Sequence, residues 1–231
     1  CTALWGSAAP CIKKGYELFE IAADASFSQL LFAGWRFALA GVLVLVAAKL
    51  KGHRILPVRS EWKPILWISL FQSMLQYVCY YIGLSATTGT KGSVLSGTQT
   101  FFALIFAHLF LQNDKLNRQK ALGCICGFAG VLVLGLGGLN GFNLAGDGLV
   151  LLSAASAGAG ALVSRIFTPG RDPMLLTGWQ LLLGGLLLGG IGAAGGGWLG
   201  AVTLPGVLLL GYMIVLSAAA FKIWTALLRK F

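Results

Sequence analysis

The polar side chains that could do chemistry in this 231-residue chain sit inside long apolar runs. Arg36 is the plainest case, placed between Leu30-Leu31-Phe32-Ala33-Gly34-Trp35 and Phe37-Ala38-Leu39. A guanidinium in such a setting suits one of two roles. It can serve as counter-charge for an anionic or zwitterionic solute, or it can bond backbone carbonyls and helix ends as a structural arginine. Further on, Ser69, Gln72, Ser73, Gln76 and Tyr80 recur at spacings of 3, 1, 3 and 4, which puts them along one helical face. A smaller stripe holds Ser93, Ser96, Gly97 and Thr100, with Gln99 at its edge. Trp179-Gln180, and Trp224 beside Lys222, add aromatic faces and polar groups. Hydrogen-bonding amides and hydroxyls, one buried cation and a few indole rings are the equipment of reversible solute binding. Each also has a structural use: a polar stripe can knit helices together, a tryptophan near a helix end can anchor at the interface, and Lys222 can snorkel to it.

Catalytic chemistry has less to work with. His53 and His108 have no second histidine or carboxylate at metal-ligand spacing. Cys124 and Cys126, two apart, would point to different faces of a helix. All seven carboxylates fall in the gaps between apolar runs or at their ends, which speaks against a mid-membrane proton-binding acid in these residues. No glycine-rich phosphate loop carries a lysine. An enzyme of lipid-linked group transfer, which needs acid–base groups converging near one membrane face, is therefore the alternative reading. A non-transporting receptor or scaffold is a third. The chain reads as a non-enzyme with no cofactor and no metal.

The elements that must position these residues follow from composition. Hydrophobic residues make up 57% and charged residues 10% of the chain, against about 25% charged in a soluble domain. So few charges could not cover a globular surface of this size, whereas a bilayer asks for apolar side chains. Stretches at 2–16, 27–48, 64–85, 92–111, 120–137, 146–164, 173–194 and 204–227 approach the roughly 20 apolar residues a spanning helix needs. Many of the 33 glycines lie inside these runs, and Gly123/Gly127 and Gly185/Gly189 have the spacing that lets helices approach closely.

The net charge of +10 reports topology rather than nucleic acid. Twelve basic residues fall in the gaps after the second, fourth, sixth and eighth segments, and three, Lys13, Lys14 and Lys91, in the alternate gaps. By the positive-inside rule the basic gaps are cytoplasmic and the first segment starts on the cytoplasmic side of a cell membrane. The partners implied are a small-molecule solute and the lipid bilayer, not nucleic acid, with a homodimer left open.

The segments also repeat. Gly34-Trp35 in the second and Gly178-Trp179 in the seventh stand at an offset of 144. Pro64 and Pro205 open the third and eighth at an offset of 141, which sets Gln76 beside Ser217 and Tyr80 beside Phe221. A unit of five helices is odd, so its second copy is upside down, and inverted repeats place solute sites near the bilayer midplane. Residues 1–140 are then a first repeat and 141–231 a second, incomplete one of three helices, expected as part of a ten-helix protein.

Trp5-Gly6-Ser7, Arg36, the run from Tyr77 to Gly89, Gly123-Cys124-Ile125-Cys126-Gly127-Phe128-Ala129-Gly130-Val131 and Asp172-Pro173-Met174-Leu175-Leu176-Thr177-Gly178-Trp179-Gln180 together resemble the EamA-type members of the drug/metabolite transporter superfamily. Asp114 replaces the glutamate many members carry, and their proline in the fourth helix is absent. The resemblance implies ten helices in two five-helix halves, and an arginine shared among members with different substrates, which weighs toward a structural Arg36. The reading is an all-α polytopic membrane protein that transports small metabolites, amino-acid-like or drug-like solutes, as an exporter working by alternating access. Its candidate solute-binding residues are Arg36, Ser69, Gln72, Gln76, Tyr80, Gln99, Trp179, Gln180 and Trp224.

Overall fold

The computed structural model describes residues 11–22, 24–87, 89–111, 117–136, 143–200 and 202–230. Trp5-Gly6-Ser7 and Asp114 lie outside them, as do the side chains of Lys222 and Trp224. Regular structure among the described residues is helical throughout. After a helical stretch at 11–18 come α1 (Ser26–Leu50), α2 (Arg59–Ser69), a π-helical turn (Leu70–Leu75), α3 (Gln76–Ser85), α4 (Gly89–Ser96) and α5 (Gln99–Phe110). Then follow α6 (Arg118–Leu136), α7 (Gly146–Phe167), α8 (Pro173–Ala194) and α9 (Leu204–Lys230). Five stretches among the described residues are long and apolar enough to cross a bilayer: Ser26–Leu50, Arg59–Leu84, Lys91–Phe110, Gly146–Phe167 and Pro173–Ala194. The chain is an all-helical, multi-span membrane protein.

Local chemistry sets the helix ends. At the end of α1, Gly52 takes φ +77°, and His53 N–H returns to Ala48 C=O at 2.9 Å, closing the last turn in the left-handed manner glycine permits. The entry to α2 is fixed by Glu61, which accepts from Val58 N–H at 2.9 Å and from Arg54 at 2.7 Å. Asp172 caps α8 by accepting from Met174 N–H at 2.8 Å, with Pro173 in the first turn, where a missing N–H costs nothing.

Two interruptions were not visible as breaks in hydropathy. The third segment is continuous in sequence but passes through the π turn, whose wider winding shifts the phase of everything after it. The fourth is broken at Gly97-Thr98. There Ser96 Oγ donates to Gly92 C=O at 2.6 Å and Thr98 Oγ1 to Leu95 C=O at 2.5 Å, and such back-bonding bends helices.

The chain forms two compact units, Cys1–Met74 with Val163–Phe231, and Leu75–Leu162. In the first, α1 and α8 pack antiparallel along a seam of small residues. A Cβ on Gly34 would strike the backbone of Gly189, one on Gly41 that of Leu182, one on Gly185 that of Ala38, and one on Gly192 that of Leu31. A Cβ on Gly178 would strike the side chain of Leu45. The residue numbers of all five pairs add to 223, the mark of one unbroken antiparallel register. Small residues allow this approach where lipid supplies no hydrophobic drive. One flank of α1 is covered by an apolar cluster of Phe32, Phe19, Ile21 and Met213, with Tyr16 edge-on to Phe32. In the second unit, Gly83 and Gly146 bring the end of α3 and the start of α7 together, Gly158 seats α7 on α5, and Gly127 of α6 accommodates Phe101.

Candidate functional site

The first unit buries a network of polar side chains between three apolar helical stretches. At its centre Gln72, in the π turn, accepts with Oε1 from Ser164 Oγ of α7 at 3.1 Å and from Gln180 Nε2 of α8 at 3.2 Å. Ser69 Oγ donates to the backbone carbonyl of Gln180 at 3.3 Å. Ser69, Gln72, Ser73, Ser164 and Gln180 are all buried, as a polar stripe must be when the alternative is lipid. The π turn is what offers Gln72 to both neighbours, and such turns recur at functional sites.

Not every group in this unit is satisfied. Ser73 Oγ is buried without a hydrogen-bond partner, and it lies against Gly184, where any side chain would collide with it. One turn beyond Ser164, Thr168 Oγ1 is likewise unpartnered. A buried unmet hydroxyl costs about 1–3 kcal/mol, so each such group in a native structure calls for an explanation. Arg36 is only 4% exposed, and its Nε is also buried without a partner. Its guanidinium lies 4.2 Å from the centroid of the Phe37 ring, a cation–π contact that recovers part of the desolvation cost.

The other candidates are placed differently. Gln76 and Tyr80 belong to the second unit; both are half-buried, and Tyr80 hydrogen-bonds Ser96 and packs edge-on to Tyr81. The five-residue stripe on the third segment is therefore divided at the π turn, with Ser69 and Gln72 in the network, Ser73 buried and unpartnered in the same unit, and Gln76 and Tyr80 past the phase shift. Gln99 is exposed at the start of α5. Trp179 serves the loop after α1: its Nε1 donates to Ile55 C=O at 2.7 Å and its ring meets Trp62 edge-on. Trp224 lies outside the described side chains.

Sequence reading missed three arrangements. Ser164 and Thr168 had no stripe of their own to single them out. His53, which has no partner at metal spacing, meets Asp172 at 2.7 Å across 119 positions, joining the loops that flank α1 and α8. In the second unit Asp147, at the start of α7, is buried. It accepts from Thr87 Oγ1, from Asn143 N–H at 2.9 Å and from Lys91 Nζ at 3.5 Å. Asn143 in turn caps α7 by accepting from Ala145 N–H at 3.0 Å. A half-buried lysine and a buried aspartate, counted as loop charges, thus form a well-partnered clasp.

Comparison with known proteins follows the same direction. Residues 1–136 match the model of the EamA-like transporter family. A WAT1-related chloroplastic protein of Arabidopsis thaliana is 28% identical over 79% of this chain and 43% of its own length. The inner membrane transporter YedA of Escherichia coli K12 is 29% identical over 79% of this chain and 58% of its own. For the transporter YoaV of Bacillus subtilis the identity is 25%, over 80% and 61%. The chain thus spans about half the length of these relatives. One crystal structure superposes with a TM-score of 0.65 over 95% of this chain and 80% of that one, and at 16% identity it shows the fold alone.

Proposed function

Because the chain belongs to the EamA-like transporter family, we propose that it carries small metabolites, amino-acid-like or drug-like solutes, outward across a cell membrane by alternating access. Family and relatives are transporters rather than enzymes, which weighs against the group-transfer alternative. The observation that carries the proposal is the Ser69–Gln72–Ser164–Gln180 network, with the unmet hydroxyls of Ser73 and Thr168 in the same unit. A hydrogen-bonding interior kept partly unsatisfied suits a solute that comes and goes.

The inverted repeat belongs to this proposal, and the α1–α8 seam supports it. The offset of 144 found from the Gly-Trp pairs carries residues 34, 38, 41 and 45 onto 178, 182, 185 and 189. Those are the residues that meet α1 across the seam. An arbitrary offset would in general turn a different face of α8 toward its partner, and the matched pairs Gly34/Gly178 and Gly41/Gly185 are themselves part of the seam. Gly184, against which Ser73 lies, is at the middle of α8, the depth at which such repeats place their solute.

A solute-resistance and export screen of the full-length protein in a transporter-deficient host tests the proposal. Export of at least one small solute above the empty-vector control is expected. A silent screen with the protein present in the membrane would overturn it.

A further inference from the structure

We propose that Arg36 is the group that recognises the solute, and that the solute presents a single carboxylate to it. This rests on the transporter reading above and names the class of molecule carried.

Depth comes first. Arg36 is two residues from the centre of the 25-residue α1, so at a rise of 1.5 Å per residue it is about 3 Å from mid-span. The antiparallel register sets it level with residue 187 of α8. That is within about one helical turn, ~5 Å along the axis, of Gly184 and the unpartnered Ser73 hydroxyl. Arg36 is also two residues from both Gly34 and Ala38, which face α8, so at 100° per residue it lies on the opposite side of α1. It is buried there all the same.

Charge comes second. A buried cation is held at a cost that an opposite charge must offset. The four ion pairs among the described residues are Lys14–Glu17, His53–Asp172, Arg54–Glu61 and Lys91–Asp147, and Arg36 is in none of them. It is also the one buried basic residue among the described residues. A single positive charge balances a monoanion, whereas a phosphate dianion would leave a negative charge uncompensated in an apolar interior. The planar fork of a guanidinium matches the two oxygens of a carboxylate.

The surroundings come third. Phe37 lies under the guanidinium, and one turn away Phe32 is packed by Phe19 and Met213. A low-dielectric setting strengthens a charge-assisted hydrogen bond once it forms. It also suits an acid with an apolar body better than a strongly hydrated one.

The test uses purified full-length protein in detergent, as wild type, Arg36→Gln and Arg36→Lys. Thermal unfolding is followed alone and with 4-methylpentanoate, N-acetyl-leucine and N-acetyl-phenylalanine, each beside its neutral amide. Without ligand, Arg36→Gln should unfold at the same temperature as wild type or higher, because an uncompensated buried charge has been removed. At least one carboxylate should raise the wild-type Tm while its amide does not. That rise should vanish in Arg36→Gln and shrink in Arg36→Lys. A lower ligand-free Tm for Arg36→Gln would make Arg36 a helix-holding residue and overturn the proposal, as would equal stabilisation by the amides or none by any carboxylate. The export screen separates the two readings. If Arg36→Gln exports as well as wild type, the carboxylate assignment fails and the transporter stands; if wild type exports nothing, the transporter reading itself fails.

Discussion

Gln180 Nε2 donates to Gln72 Oε1 at 3.2 Å, joining side chains 108 positions apart. The bond ties a π turn to the middle of α8, and Ser164 shares the same acceptor oxygen. One amide thereby holds three helices, and its loss leaves two buried donors unmet.

Stability should depend on which side of α8 is changed. Gly185→Leu drives a side chain into the Ala38 backbone; overpacking of this kind costs about 1–3 kcal/mol or more. Gly190→Ala, five residues on, enters open space and should be neutral or stabilising by up to about 1 kcal/mol. Thermal unfolding and membrane level of the two variants measure the contrast. Equal behaviour would remove the close seam from the account.

The Lys91–Asp147 clasp should respond asymmetrically. Asp147→Leu removes the acceptor of Thr87, of Asn143 N–H and of Lys91 together, and breaking a buried pair this way costs about 3–5 kcal/mol. Lys91→Met leaves the carboxylate its other two donors and should cost less. In a double-mutant cycle, coupling of about 0.5–3 kcal/mol is expected. Additive effects would mean the pair contributes nothing as a pair.

Loop topology can be read by labelling. His53 with Asp172, and Trp179 with Ile55, place the loops at 51–58 and 168–172 on one side of the membrane. In a cysteine-free background, Lys51→Cys and Arg171→Cys should react with an impermeant thiol reagent only from the cytoplasm, and Asp24→Cys only from outside. Labelling of Lys51→Cys and Arg171→Cys from opposite sides would contradict the contacts themselves.

Much of this was legible in the sequence because lipid leaves so few choices. Apolar runs of the right length become helices, and the starts at Gly146 and Pro173 agree to the residue with those expected. Ser69, Gln72 and Gln180 were recognisable as groups that lipid cannot accept. The π turn was not, since spacings of 3, 1 and 3 fit an α-helical face equally well, and the extra winding shows only in the phase of Gln76 and Tyr80. Lone residues such as Ser164 and His53 carry no periodicity, and their partners lie 92 and 119 positions away. Lys91 and Asp147 looked like loop charges because burial at a helix end depends on neighbours such as Gly83 and Gly146.

The most direct test of the central claim is the export rate of a solute identified by the resistance screen, compared at matched membrane level for wild type, Gln72→Leu and Gly190→Ala in the full-length protein. Losing one or two hydrogen bonds of about 0.5–1.5 kcal/mol each predicts a several-fold fall for Gln72→Leu and no change for Gly190→Ala. Wild-type export by Gln72→Leu would contradict the account, leaving the buried network as helix packing alone.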